Sequence, residues 1–352
     1  MTKRIAGIQQ IGIGIPDVHA AWAWYRKYLA MDIPIFEEAA AANLMLPYTA
    51  GMPQKRHAIL AISMQGGGGF EIWQYTSRTP QPPAFNIQVG DLGILFPKIK
   101  CRNADELNQF MLKDGVTLIS NVVTDPLGRQ CFGVKDPYNN IFQLVEYDSW
   151  FSDTGAKTGG VCGAVIGVSD MEKSLVLYKD ILGYDTIVYD ETGNFPDLTG
   201  LPGGDDRFRR VLLKHSEKRV GAFSNLLGPS EIELIMTLSR TPRKIYENRL
   251  WGDLGFIHLC FDVIGMDDLR KECESKGFSF TVDSSQSFDM GEAAGHFTYI
   301  EDPDGTLIEF VETHKIPILK KIGWYLDLRK RDPLKPLPKL MLKALSLNRK
   351  RD

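Results

Sequence analysis

The sequence predicts an α+β protein of four strand–helix–strand–strand–strand (βαβββ) modules, followed by a basic helical tail. Three observations predict it. The first half recurs in the second as a series of matched segments. Each copy opens on a strand, an aspartate and an apolar-striped helix. Each copy then divides again at a second, shorter helix. Two copies indicate duplication rather than a solenoid.

In the opening segment, Ile11, Ile13 and Ile15 alternate with Gln10, Gly12 and Gly14, the signature of a strand with one apolar face. Asp17 caps the helix that follows, which carries Trp22, Trp24, Tyr25 and Leu29. The glycines Gly66–Gly69 precede a strand, so they read as a flexible hairpin turn; a phosphate loop would need a helix next. Segments GFEIWQYTSRTP, VGDLGILF and KDPYNNIFQLVE complete the first half, with a second helix over Asp105–Asp114. Small polar residues at Ser152–Gly160 mark the linker.

The second half repeats this order. Asp170 opens a helix with Leu175, Tyr178 and Leu182. SRTP recurs at Ser239–Pro242, WGDLGFIH at Trp251–His258 and EDPDGTLIEFVE at Glu301–Glu312, with a helix over Met266–Gly277. In FIHLCFDV, alternation puts His258, Cys260 and Asp262 on one face. After the Asp302–Gly305 turn, Leu307 and Glu309 share a face. Consecutive modules are expected to pair, giving one domain over 1–151 and another over 161–314. In the tail, 315–352, Ile318, Leu319, Ile322, Tyr325 and Leu326 lie at helical spacing, and Pro338 starts a second short helix.

A hydrophobic content of 43% and a charged content of 24% fit an ordinary globular chain and exclude a disordered one. No run is apolar enough to span a bilayer, and MTKRIAGIQQ lacks a signal-peptide pattern. Five scattered cysteines without a CxxC pair argue for reduced thiols and a cytoplasmic setting. The net charge of −3 hides an asymmetry: the tail holds twelve Lys and Arg against three Asp. Such a tail most simply docks on its own acidic body. A membrane surface is the sharper and less favoured alternative, and nothing points to nucleic acid. The oligomeric state is not legible.

The strand–Asp–helix openings and the DPYNNIFQLVE and DPDGTLIEFVE closings make the chain resemble the vicinal oxygen chelate superfamily, which includes glyoxalase I, epimerases and extradiol dioxygenases. The resemblance covers Ile5 to Glu312. It implies paired βαβββ modules that curl into two open, cup-shaped sheets. It also implies metal ligands on the first and last strands of paired modules. For the N-terminal half those positions are Gln10, Glu71, Phe96 and Gln143; for the C-terminal half, Gly163, Glu233, His258 and Glu309. Phe96 cannot bind a metal, so the N-terminal half reads as scaffold, although Gln10 and Glu71 are permitted ligands in glyoxalase-like relatives. Glu233, His258 and Glu309 are the expected ligands of a divalent ion (Fe, Mn, Ni, Zn or Mg).

The expected chemistry is that of a metal-dependent lyase or isomerase acting on a small substrate with neighbouring oxygens. Glu233 or Glu309 would act as general base, with Tyr299 or His296 as proton donor. An extradiol-type dioxygenase with altered ligands is the alternative; its two-histidine set is only half matched, because Gly163 replaces one histidine. A binding protein without chemistry is the third reading. Arg240 and Arg78 repeat each other and so read as structural, Asp190–Arg210 reads as a lid, and His19, His57, His215 and His314 lack partners along the sequence.

Overall fold

The computed structural model describes residues 2–284, 288–289, 294–319 and 323–350. Module one contains β1 (Arg4–Gly14), α1 (Val18–Leu29), β2 (Ile33–Ala41), β3 (Lys55–Ile62) and β4 (Gly69–Tyr75). Module two contains β5 (Gly93–Cys101), α2 (Ala104–Lys113), the two-residue β6 (Thr117–Leu118) and β7 (Val123–Thr124), β8 (Gln130–Lys135) and β9 (Ile141–Glu146). In module three, β10 (Thr158–Gly167) leads to α3 (Met171–Leu175), which runs on as a π turn. Then come β11 (Thr186–Gly193), β12 (Phe208–Lys214), α4 (Ser224–Leu227) and β13 (Glu231–Thr237). Module four holds β14 (Gly255–Ile264), α5 (Met266–Ser275), β15 (Val282–Asp283), β16 (Phe288–Asp289), β17 (Ala294–Glu301) and β18 (Leu307–Leu319). Beyond it lie β19 (Trp324–Asp327) and α6 (Lys339–Ala344).

The helix openings form as their caps dictate. Asp17 accepts from the His19 and Ala20 amides, and Asp170 from Lys173. Asp136 and Asp302 fold the two closing turns in the same way, each accepting amides two and four residues on.

The sheets do not follow the expected domains. One runs β15-β17-β18-β14-β1-β4-β3-β2 and so joins module one to module four. The other runs β11-β12-β13-β10-β5-β9-β8-β6 and joins module two to module three. The seams are antiparallel: β1 lies along β14 from Arg4↔Ile264 to Gly14↔Gly255, and β10 lies along β5. Repeated motifs tie both seams. Arg78 of module one pairs with Asp253 at 2.5 Å, and Arg240 of module three pairs with Asp91 at 2.6 Å. The SRTP arginines are therefore clamps to the Gly-Asp-Leu-Gly turn of the partner module. Sequence neighbours meet instead through their helices: Tyr25 donates to Asp136 at 2.7 Å and Tyr178 to Asp302 at 2.9 Å.

Two local expectations change. Gly66–Gly69 is a tight crossing rather than a flexible turn: a Cβ on Gly67 would lie 2.7 Å from the Gly160 backbone, and the Gly68 amide donates to Val161. The stretch after Thr313 continues as strand β18 to Leu319 and returns as β19, paired from Lys315↔Asp327 to Leu319↔Trp324, instead of forming a helix; Ile322 lies outside the described residues. Thr313, Ile316 and Ile318 are β-branched and extend a strand already paired. The second tail helix does form, after Pro338. Its Leu342, with Leu337 and Leu345, is buried against Ile33, Ile62, Met64 and Ile316, so the tail docks on its own body. No helix among the described residues is long and apolar enough to cross a membrane.

Candidate metal centre

The centre of the first sheet is the strand set β4-β1-β14-β18, and its register builds the site. Across one row, Glu71 faces Gly12, and Gly12 faces His258. Across the next, Gln10 faces Cys260, and Cys260 faces Glu309. All these positions share one side of the sheet, because each pair on a strand is two residues apart. Gly12 is required by what covers it. A Cβ there would lie 2.3 Å from the His258 ring, so only glycine leaves room for the imidazole.

Glu71, His258 and Glu309 converge with ligand atoms within 4.8 Å of one another. His258 Nε2 lies 3.1 Å from Glu309 Oε2 and 3.4 Å from Glu71 Oε2. Gln10 Nε2 is 3.4 Å from Glu309 Oε2. Donors bound at about 2.1 Å to one ion and at right angles sit about 3.0 Å apart, so these spacings suit a shared cation. Two further facts fit one: Gln10 Oε1 and His258 Nε2 are both buried without a hydrogen-bond partner. A carbonyl oxygen, an imidazole and two carboxylates form a donor set for a borderline or hard divalent ion.

Burial is the main cause that pushes the Glu71 carboxyl up to about 7; His258 opposes the shift and Glu309 adds to it. Burial disfavours the His258 imidazolium, yet Glu309 and Glu71 outweigh it and hold its pKa above the ordinary value. The His258 imidazole and Arg56 offset these two carboxylates only in part, since the Glu71 carboxyl stays raised. Tyr299 lies opposite Glu309 on β17, its hydroxyl 3.4 Å from His258 Nδ1. Burial raises its pKa well above that of an ordinary phenol, so Tyr299 stays protonated.

The centre opens into a cavity of about 410 Å³, bounded by Phe36, Leu60, Trp73, Trp251 and Phe297 among others. Aromatic walls with convergent polar groups at one end are the usual form of a small-molecule site.

Two expected site residues lie elsewhere. Glu233 sits on β13 in the second sheet, bonded to Arg210 at 2.5 Å and to Lys98 at 2.7 Å. These cations hold its carboxyl down at about 2 despite burial. The equivalent donor in the candidate metal cup is Glu71. His296 points to the opposite side of β17 from Gly295, Phe297 and Tyr299 and pairs with Asp283 at 2.6 Å. The apparent loss of a ligand at Gly163 also disappears, because Gln10 fills that position beside His258 and Glu309. The Asp190–Arg210 segment buries Phe195, Leu198 and Leu201 over the second sheet and is no lid of the metal cup. Met290, Gly291 and Glu292, where a dioxygenase histidine would fall, lie outside the described residues. His19 and His57 do acquire a partner: both face Glu37, at 3.7 Å and 3.2 Å, on the exposed side of the sheet.

The comparisons with known proteins agree with this architecture. Residues 162–310 match the model of the Glyoxalase/Bleomycin resistance protein/Dioxygenase superfamily. That segment comprises modules three and four, one from each sheet. No curated protein sequence matches the chain. Among solved structures, glyoxalase I from Zea mays is similar over 88% of this chain and 92% of its own, at 12% identity and a TM-score of 0.54. A putative dioxygenase from Bacillus subtilis covers 88% of this chain and 86% of its own, at 13% identity and a TM-score of 0.56. At such identities the likeness establishes the fold. Residues 162–310 thus belong to the glyoxalase/bleomycin resistance protein/dioxygenase superfamily, and the whole chain carries its paired-module fold.

Proposed function

We propose that the protein is a divalent-metal-dependent enzyme of the lyase or isomerase type, acting on a small organic substrate that chelates through neighbouring oxygens. One observation carries the reading: Glu71, His258 and Glu309 converge beside an unpartnered Gln10 carbonyl oxygen at the base of an aromatic-walled cavity. A divalent ion held there supplies Lewis-acid polarisation of a substrate carbonyl.

The residues of the chain supply the rest. Glu71, whose burial keeps its carboxyl poised near neutrality, is placed to take a proton from the carbon beside the carbonyl. Glu309 holds His258 in place and balances charge. Tyr299, a persistent phenol, lies within reach of His258 Nδ1 and keeps its own O–H as a donor for the substrate. The aromatic walls exclude water from the reacting atoms.

Elemental analysis of the purified chain tests the metal. The expected result is one divalent ion per chain, lost in Glu309→Gln and in His258→Ala. Deuterium exchange at the α-carbon of 2-hydroxyacetophenone tests the chemistry; exchange that needs the ion and fails in Glu71→Gln supports the reading. Iron-dependent oxygen uptake with catechols, without such exchange, would replace it with the dioxygenase alternative. Ligand binding unaffected by chelators, with no turnover, would reduce the protein to a binding module.

A further inference from the structure

We propose that the cup selects an uncharged, largely apolar substrate, and that the C-terminal tail, which lies outside the four modules, forms the wall that fits it. The proposal deepens the functional reading above and rests on it only for the chelating end of the substrate.

The charge of the pocket argues first. Among the described residues lining it, Arg56 is the cation, and it is already committed: its guanidinium bonds the Glu38 carboxylate at 2.7 Å and the Glu38 carbonyl at 2.9 Å. Glu71 and Glu309 face the same space. One divalent ion offsets those two carboxylates and leaves nothing over for an anionic substituent. A carboxylate or phosphate among these aromatic walls would lose its hydration without gaining a partner.

The indoles argue next. Trp73 and Trp251 both line the pocket, pack edge to face with centroids 4.4 Å apart, and bury their Nε1 donors without an acceptor. An indole N–H can only donate. Two such groups call for a neutral oxygen on the ligand, a carbonyl or ether.

The tail argues third. Leu345 and Asn348 line the cavity. They are fixed there, because Leu337, Leu342 and Leu345 are buried against β2, β3 and β18. The Leu337 amide donates to Ala222, the Lys350 amide donates to Asp32, and Arg349 pairs with the Asp32 carboxylate at 3.1 Å. This wall contributes none of the candidate metal ligands, so it is suited to set substrate size.

Equilibrium dialysis of the full chain as purified, with 2-hydroxyacetophenone and its 4-carboxylate, tests the charge rule. Both carry the same chelating end and differ only at the far end. The neutral ketone should bind at least tenfold tighter; equal or tighter binding of the carboxylate overturns the proposal. Trp73→Phe should weaken the neutral ketone at least threefold, and unchanged binding removes the donor argument. Leu345→Ala should favour the 4-butyl ketone over the parent by at least fivefold relative to wild type. If Leu345→Ala does not fold, Asn348→Trp, which narrows the same wall, should weaken the parent ketone by at least fivefold. An unchanged ratio or affinity overturns the role of the tail. Metal content, read in parallel, separates the two claims: a chain without metal sinks the enzymatic reading, while the far-end charge preference still judges this one.

Discussion

The two cups are built from equivalent strands and differ in what occupies their floors. In the first, the inward positions hold Gln10, Gly12, Gly69, Glu71, His258, Cys260 and Glu309. In the second, the matching register positions hold Gly163, Val165, Glu231, Glu233, Phe96, Lys98 and Gln143. Lys98 replaces Cys260, and its ammonium bridges Glu231 at 2.8 Å and Glu233 at 2.7 Å. Arg210 and Arg129 add further cations to the same carboxylates. The second cup thus carries its own positive charge and encloses a cavity of only about 10 Å³, against about 410 Å³ in the first. Where the side chains furnish the counter-charge, the cup closes into core. Where the carboxylates have only the His258 imidazole paired with them, a cavity remains.

The largest test of this contrast is Lys98→Met. Removing one partner of a buried ion cluster typically costs about 3–5 kcal/mol. Chemical denaturation should show a loss of that size, whereas Glu309→Gln in the first cup should leave the metal-free chain as stable or more so. An equal loss in both would break the comparison. The same cluster predicts acid sensitivity. Glu231 and Glu233 have folded pKa values of about 2, below the ordinary 4.5, so the unfolded chain takes up their protons first. Their contribution is complete above about pH 4.5 and disappears as pH falls toward 2. Denaturation midpoints in Lys98→Met that keep the wild-type acid slope would count against this account.

Gly12→Ala should come next. Its Cβ would collide with the His258 ring, and overpacking of this kind costs about 1–3 kcal/mol. Elemental analysis should show the metal lost, because the imidazole must turn away. Val165 at the matching position of the second cup should accept alanine without any effect on metal content.

A smaller effect concerns pH and metal uptake. Glu71 protonates near pH 7 in the metal-free chain, so binding expels a proton below that point. Apparent affinity, followed by titration calorimetry, should fall at least about tenfold for each pH unit below 7. Glu71→Gln should flatten that dependence while weakening binding. The smallest change is Tyr299→Phe, which should cost about 1 kcal/mol of stability and retain the metal. Loss of the metal in this variant would move Tyr299 from proton donor to support of the ligand shell.

Much of this molecule was legible in the order of its residues. The duplicated strand–Asp–helix openings gave four modules, because caps and alternation are local and act wherever they occur. His258 and Glu309 were legible as candidate ligands for the same reason: alternation places them on one face, and their strands are adjacent in any pairing of the fourth module. Glu71 was not, because the choice between Glu71 and Glu233 depends on which first-half module lies beside module four. Both carboxylates sit on the same face of equivalent strands, and both satisfy the same pattern. Only the antiparallel seam of β1 with β14 decides it, with the Arg78–Asp253 clamp holding that seam and Gly12 yielding room for the ring. Local chemistry determined what each strand could offer; the contact between distant strands determined which offers meet.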